Sequence, residues 1–166
     1  KLRQARTLVE PSESPLSTVL RAGRQTGPMT HGAISARVDR IRAGDDPECL
    51  GRMSSGWAIL GKYQPAGIEG CCMLLPDPVV ASRNDLGEEQ RRDFFADLVR
   101  LGDAVLGATG AERINYLVLC NQVPELHGHV VPRFASEDPG RRMQGPFEAY
   151  DFGAARVADA GGARGT

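Results

Sequence analysis

Several features that mark specialised classes of protein are missing from this sequence. No apolar run is long enough to cross a bilayer, and the stretch that begins at Lys1 contains no apolar signal core. The 20 basic and 21 acidic side chains leave a formal charge of −1, so the sequence favours neither a nucleic acid nor a membrane surface as a partner. We therefore expect a globular protein of the cytoplasm.

The cysteines do not form a recognisable framework. The sequence has four, Cys49, Cys71, Cys72 and Cys120, and no two of them stand in a C-x-x-C arrangement. This spacing predicts neither a disulfide scaffold nor a zinc knuckle. We expect reduced thiols, with Cys71, Cys72 and Cys120 acting as small buried apolar residues. A reactive cysteine is the less favoured alternative.

Length and composition predict one domain with two irregular ends. A chain of 166 residues with 41% hydrophobic and 25% charged residues is typical of a globular protein with one core. Residues 1–29 are rich in Ser, Pro, Gly and Arg, which predicts an irregular arm. Residues 153–166 are rich in Ala, Gly and Arg and are expected to form a loose tail. The domain itself is predicted to span 30–152.

Two segments have helical periodicity. Apolar residues at 34, 38 and 41 predict a short amphipathic helix that is capped by Thr30 and ends at Gly44. A longer helix is predicted after a cap at Asn84 or Asp85, ending at Gly107 and Gly110. Its predicted inner face consists of Phe94, Leu98, Leu101 and Val105, widened by Phe95 and Val99.

Four further segments read as strands. They lie at 55–62, 70–75, 113–120 and 124–133. The last two are separated only by the turn at 121–124, which predicts an antiparallel hairpin. The expected fold class is therefore α+β, with an antiparallel sheet of about five strands, one long helix and one or two short helices.

The chemistry of the chain is concentrated in the last of these strands. It holds two of the three histidines, His127 and His129, within an apolar run. Side chains alternate between the faces of a strand, so Glu125, His127 and His129 are predicted to share one face. Gly128 lies between the histidines, and a glycine within a strand often marks the close approach of a ligand or another backbone.

Paired histidines suit phosphoryl transfer. Neutral imidazole is well populated near neutral pH and can attack phosphorus, while the second ring holds an anionic oxygen. Metal binding is the main alternative, because two histidines and Glu125 have the composition of a two-histidine, one-carboxylate site. On a regular strand, however, Glu125 and His129 would stand about 13 Å apart, so we predict no metal ligand here.

The same stretch resembles the signature of the histidine triad (HIT) superfamily. That signature is His-φ-His-φ-His-φ-φ, with φ apolar, and is often followed by Pro-Arg. This chain reads Glu125-Leu-His127-Gly-His129-Val-Val, followed by Pro132-Arg133. The strand and helix order over 52–133 also matches the family's fold.

The resemblance implies a nucleotide hydrolase or nucleotidyl transferase that acts at the α-phosphate of dinucleoside polyphosphates or nucleoside phosphoramidates. It implies that His127 is the nucleophile and forms a covalent nucleotidyl intermediate, that His129 contacts phosphate oxygens, and that Asn121 holds the phosphate region. It further implies that the chemistry needs no metal or other cofactor and that the protein is a homodimer.

Two departures from the family pattern concern the site. Glu125 replaces the first histidine, and only Gln122 to Pro124 stand where the family has a longer loop with a Gly-Gln-Ser/Thr element. Backbone amides or Arg133 are expected to supply the missing phosphate donors. Glu125 is expected to orient a ring, act as a general base or hold a substrate hydroxyl. Asn121, Glu125 and Arg133 are thus the predicted substrate-binding residues. A nucleotide-binding module without turnover and a metal-dependent hydrolase are the alternative functions.

Overall fold

The computed structural model describes residues 32–158, and these form an α+β fold around an antiparallel sheet of five strands in the order β1-β2-β4-β6-β5. The strands of this sheet are β1 (Cys49–Arg52), β2 (Gly56–Leu60), β4 (Cys72–Pro76), β5 (Arg113–Leu117) and β6 (Gly128–Arg133). A second, two-stranded ladder joins β3 (Tyr63–Gln64) to β7 (Arg156–Val157). The predicted fold class is confirmed. The edge strand β1 was not predicted.

Two longer and two short helices accompany the sheet. They are α1 (Ala33–Ala43), α2 (Glu88–Thr109), α3 (Pro139–Arg142) and α4 (Pro146–Ala149). A single 3₁₀ turn precedes α2. Among these described helices, none has both the length and the hydropathy of a transmembrane span.

The alternation of side chains along the central strands builds a core on each face of the sheet. Leu74 and Val130 point toward α2, where Phe94 is fully buried. On the other face, Ile59 and Leu75 pack against α1. Because alternate residues of the strands are apolar on both faces, the apolar stripe of one helix packs on each face of the sheet.

The helix starts differ from the predictions. The N-cap of α1 is Gly32, and Thr30 lies outside the described residues. The N-cap of α2 is Gly87, whose N–H donates to Gln90 Oε1 at 3.0 Å. Asn84 and Asp85 instead belong to the 3₁₀ turn that Ser82 caps. Ser, Asn and Asp are all good N-cap residues. Here Ser82 caps the 3₁₀ turn that contains Asn84 and Asp85, so Gly87 is left as the N-cap of α2.

The inner face of α2 is rotated from the predicted one. Phe94, Leu98, Leu101 and Val105 are buried as expected, but Phe95 and Val99 are 38% and 50% exposed. Asp97 is buried in the stripe instead, where its carboxylate accepts hydrogen bonds from the N–H and hydroxyl of Ser55 at 2.6 and 2.8 Å. A buried carboxylate with hydrogen-bond partners therefore lies within the apolar face of the helix. The helix continues through Gly107 and ends at the left-handed Gly110.

The predicted tight hairpin between β5 and β6 is wrong in its details. The two strands do pair antiparallel, but β5 ends at Leu117 and β6 begins only at Gly128. Between them Cys120 adopts a positive φ of 55°, and the N–H of Leu126 donates to the carbonyl of Val80 at 2.8 Å. The chain thus bonds to the segment before α2 rather than continuing the ladder.

The predictions for the two ends of the chain are mostly outside the described residues. This holds for the arm at 1–29 and for the last residues of the tail, 159–166. Within the tail predicted from 153 onward, Arg156 and Val157 form a strand rather than a loose segment, because they pair with Gln64 and Tyr63. The bounds 30–152 for the domain remain a prediction.

The close approach of β6 to α2 can be tested at Gly128. A Cβ at this position would stand 2.6 Å from Leu98 Cδ1 and 3.4 Å from Phe94 Cζ, both in the core. We expect Gly128→Ala to lower the free energy of unfolding by about 1–3 kcal/mol because of overpacking. The matched control is Gly107→Ala, since a Cβ there meets nothing within 4 Å. Within a helix, that change should raise stability by about 0.5–1 kcal/mol. Urea denaturation measures both, and equal effects of the two variants would contradict the packing argument.

Candidate active site

The structure brings His127 and His129 together, as the sequence predicted. Their ring centroids are 4.9 Å apart and the rings are edge to face. His129 lies within β6, whereas His127 precedes the strand and is held by the loop that leads into it. Both rings line one cavity of about 990 Å³.

A backbone carbonyl fixes the orientation of the His127 ring. Nδ1 of His127 lies 2.8 Å from the carbonyl oxygen of Glu125. Because a carbonyl can only accept, Nδ1 carries the proton of this hydrogen bond. In the neutral ring the lone pair is therefore on Nε2, which leaves that nitrogen as the nucleophilic atom.

His129 is held neutral. Burial, and to a smaller extent the neighbouring His127, lowers the pKa of His129 to about 4. The ring of Phe147 flanks it on another side, with centroids 5.2 Å apart. At neutral pH, His129 therefore presents one N–H donor and one acceptor rather than a cation.

Glu125 does not share the face of the two histidines, and that prediction is wrong. Glu125 is a buried residue, 4% exposed, and its carboxylate lies at the start of α1. Oε2 accepts hydrogen bonds from the N–H of Ile34 at 2.8 Å and of Ser35 at 3.3 Å. Oε1 accepts a hydrogen bond from the Ser35 hydroxyl. Glu125 thus caps a helix from 90 residues away along the chain.

The ionisation of Glu125 follows from these contacts. Burial acts to raise the pKa of Glu125, but the Ser35 hydroxyl and the N–H groups of Ile34, Ser35 and Gly32 outweigh it and lower the pKa. The carboxylate is therefore charged at neutral pH and is satisfied by the positive end of α1. It contributes its backbone carbonyl, not its carboxylate, to the histidine pair.

The position of Glu125 bears on the alternative of a metal site formed by two histidines and one carboxylate. The carboxylate of Glu125 is bound to α1, so the two histidines lack the third ligand that the sequence suggested. Within residues 32–158, no group of three or more His, Cys, Asp or Glu side chains is placed to hold a metal ion.

The cavity around the histidines draws on three parts of the chain. Ile34 and Met73 come from α1 and β4, and Asn121 comes from the β5–β6 connection, as predicted for a substrate-binding residue. A third wall comes from the segment after β6, which carries Arg141, Phe147 and Phe152. Sequence reasoning did not assign this wall to the site, although the aromatic cluster at 147–152 was a signal for it.

Arg133 lies outside the cavity of the histidines, contrary to its predicted role. It is 3% exposed, and its Nε–H is shared between the two carboxylate oxygens of Glu137, at N···O distances of 3.0 and 3.1 Å. It also donates to Asn115 Oδ1 at 2.7 Å and to the carbonyl oxygens of Gln144 and Arg141 at 3.0 and 2.9 Å. A guanidinium this fully engaged anchors the segment after β6 rather than a substrate.

The cysteines near the sheet differ in their surroundings. All four are free thiols. Burial raises the pKa of Cys71 to about 12 and that of Cys72 to about 11, as expected for inert core residues. Cys120 was expected to be a core residue, but it is half-buried, lines the cavity and has its Sγ 3.9 Å from His127 Nδ1.

This chain has the fold of solved histidine triad proteins. The fold that the sequence resemblance implied is thereby confirmed. No protein-family profile and no curated protein matches the sequence.

Three solved structures illustrate the likeness. A histidine triad protein from Sinorhizobium meliloti 1021 is 23% identical, with a TM-score of 0.55 over 80% of this chain and 89% of that one. A histidine triad protein from Bradyrhizobium japonicum is 20% identical, with a TM-score of 0.55 over 73% and 84% of the two chains. A hypothetical histidine triad nucleotide-binding protein from Sulfolobus tokodaii strain7 is 19% identical, with a TM-score of 0.50 over 63% and 72%.

The helix-capping role of Glu125 predicts a loss of stability when its charge is removed. In Glu125→Gln, one oxygen remains for the donors of Ile34 and Ser35, and the new amide N–H₂ faces N–H groups. We expect the free energy of unfolding to fall by about 1–3 kcal/mol. Glu148→Gln, at an exposed position, is the matched control and should change stability by less than about 0.5 kcal/mol. Equal stability of the two variants in urea denaturation would show that the cap is not important.

The buried, neutral state of His129 predicts a dependence of stability on pH. Its pKa in the folded chain, about 4, lies below its ordinary value of 6.5, so the unfolded chain takes up the proton first on acidification. Stability should therefore fall as the pH drops from about 7 to about 5, by about 1–2 kcal/mol. His129→Asn should remove most of this loss. NMR titration of the imidazole carbons measures the pKa directly, and a value near 6.5 would contradict the assignment.

Proposed function

We propose that this protein is a nucleotide hydrolase or nucleotidyl transferase that acts at the α-phosphate through a covalent nucleotidyl-His127 intermediate. The observation that carries the proposal is the hydrogen bond from His127 Nδ1 to the Glu125 carbonyl, at 2.8 Å. It selects the tautomer whose Nε2 can attack, inside a cavity that also holds a second, neutral histidine.

The proposed reaction has two steps. First, Nε2 of His127 attacks the α-phosphorus, and the bond from phosphorus to the leaving group breaks. The leaving group departs with that electron pair and takes up a proton. In the second step, water attacks the phosphorus and loses a proton to solvent, and the phosphorus–nitrogen bond breaks with its electron pair returning to Nε2. This releases the nucleoside monophosphate and restores the neutral imidazole. In a transferase, an acceptor hydroxyl or amine replaces the water.

The other residues of the cavity have supporting roles in this proposal. His129 donates an N–H to a non-bridging phosphate oxygen, which stabilises the charge that spreads over these oxygens in phosphoryl transfer. Asn121 supplies a further polar group from the β5–β6 connection. The cavity of about 990 Å³ is large enough for a nucleotide and a leaving group.

The substrates we propose are dinucleoside polyphosphates or nucleoside phosphoramidates. Support for a nucleotide comes from the sequence motif, from the fold and from the Sulfolobus tokodaii structure, which is described as a nucleotide-binding protein. We further propose a homodimer in the cytoplasm. The outer edge of β5 supports the dimer, because it is the last strand of the sheet and exposes Tyr116.

The alternative is a nucleotide-binding module without turnover. It is favoured by the short connection at Gln122 to Pro124, which lacks the Gly-Gln-Ser/Thr element of the family. In that case the cavity would bind nucleoside monophosphates while His127 stayed unmodified.

The two functions are distinguished by trapping the intermediate. Wild type and His127→Ala are mixed with diadenosine tetraphosphate, or with an adenosine phosphoramidate, and are quenched in alkali before intact-mass analysis and peptide mapping. We expect a nucleotidyl adduct on the peptide of His127 in wild type and none in the variant. Turnover should fall by about a thousandfold or more in His127→Ala, since the nucleophile is lost.

Three other outcomes would contradict the proposed covalent mechanism. Equal activity of wild type and His127→Ala would end the covalent mechanism. Binding of nucleotides by calorimetry without any product would favour the module without turnover. Activity that disappears on exhaustive chelation and returns with a divalent cation would favour a metal-dependent hydrolase.

A further inference from the structure

The cavity that holds the two histidines is lined by both positive and negative side chains. Among residues 32–158, Arg141 is the one Lys or Arg side chain that lines it, while two carboxylates, Glu148 and Asp151, also line it. Since His129 is neutral at physiological pH, Arg141 is the fixed positive charge available in this part of the chain to an anion in the cavity.

Arg141 differs from its neighbours in lacking a counterion. Within the described part of the chain, Arg133 pairs with Glu137 at 2.8 Å and Arg142 pairs with Glu112, whereas Arg141 makes no ion pair with any carboxylate. Asp151, which shares the cavity, accepts hydrogen bonds from the N–H groups of Gly153 and Ala154 instead. The side chain with no anionic partner is thus the one at the candidate site.

A chain of contacts holds Arg141 in place from the site strand. Arg133, at the end of β6, bonds to the carbonyl oxygen of Arg141 at 2.9 Å and to the Glu137 carboxylate. Glu137 accepts a hydrogen bond from the Tyr150 hydroxyl at 2.9 Å. The guanidinium of Arg141 lies over the Tyr150 ring, with Cζ 5.3 Å from its centroid. Both the backbone and the side chain of Arg141 are therefore tied to the strand that carries His129.

We propose that Arg141 is the phosphate-binding cation of this site and takes the role that the sequence suggested for Arg133. This inference rests on the proposed function and identifies which side chain recognises the charged part of the substrate. Guanidinium suits the task because its planar fork donates two parallel hydrogen bonds to phosphate oxygens, and stacking on an aromatic ring leaves that fork free.

A cavity-facing arginine that only packs on Tyr150 would look similar in the structure, so the test separates binding of phosphate from binding of the rest of the ligand. Dissociation constants are measured by calorimetry for AMP and GMP and for the parent nucleosides adenosine and guanosine. The proteins are full-length wild type, Arg141→Gln, Arg141→Lys and the matched control Arg142→Gln. Arg142 is adjacent in sequence but does not line the histidine cavity.

We expect Arg141→Gln to weaken monophosphate binding about tenfold or more while nucleoside binding stays within about twofold. Arg141→Lys should recover part of the loss, and Arg142→Gln should behave as wild type. The salt dependence of monophosphate binding should also become shallower in Arg141→Gln, because one phosphate contact has lost its charge.

Distinct outcomes overturn distinct claims. If wild type prefers monophosphates over nucleosides and Arg141→Gln keeps that preference, Arg141 is not the phosphate cation. The same holds if Arg141→Gln weakens both ligands equally, which is the result of a purely structural role. If Arg141 governs phosphate binding but His127→Ala leaves turnover unchanged, the proposed covalent function fails and the assignment of Arg141 stands. If wild type binds none of these ligands, both proposals fail.

Discussion

A buried carboxylate, that of Glu125, lies where α1 begins and accepts hydrogen bonds from Ile34 and Ser35. The contact joins the approach to β6 to a helix that lies far away in the sequence. Glu125 lies just before β6, which begins at Gly128, and its carbonyl oxygen is 2.8 Å from Nδ1 of His127. One residue thereby caps a helix with its side chain and orients the imidazole of His127 with its backbone.

A second buried charge organises the other side of the site. The side chains of Arg133 and Glu137 are almost wholly inaccessible to solvent and form an ion pair at 2.8 Å. Every buried polar side-chain atom in the described residues has a hydrogen-bond partner. Such a pair stabilises a particular arrangement because breaking it would leave a buried charge unpaired. Here the arrangement that it holds is the path of the chain after β6, which brings Phe147 against His129.

Local patterns in the sequence predicted the parts of this structure that local physics decides. Alternation along β2 and β4 and the 3.6-residue period of α2 follow from the geometry of strands and helices, and the histidine pair follows from its motif. The missed features depend on partners distant in sequence. Glu125 accepts hydrogen bonds at the N-terminus of α1, and Asp97 accepts them from Ser55. Periodicity carries no information about such pairs, so Glu125 and Arg133 were given roles in the site that the fold does not give them.

The wall of the cavity formed by the segment after β6 contributes no strand to the main sheet. The two histidines lie at β6, a strand that pairs with both β4 and β5. The wall with Arg141 and Phe147 lies on short helices held by one buried ion pair. The histidine pair and this wall of the cavity therefore lie in separate stretches of sequence. Changes at Arg141 or Phe147 would alter this wall of the cavity without altering the strand that carries His129.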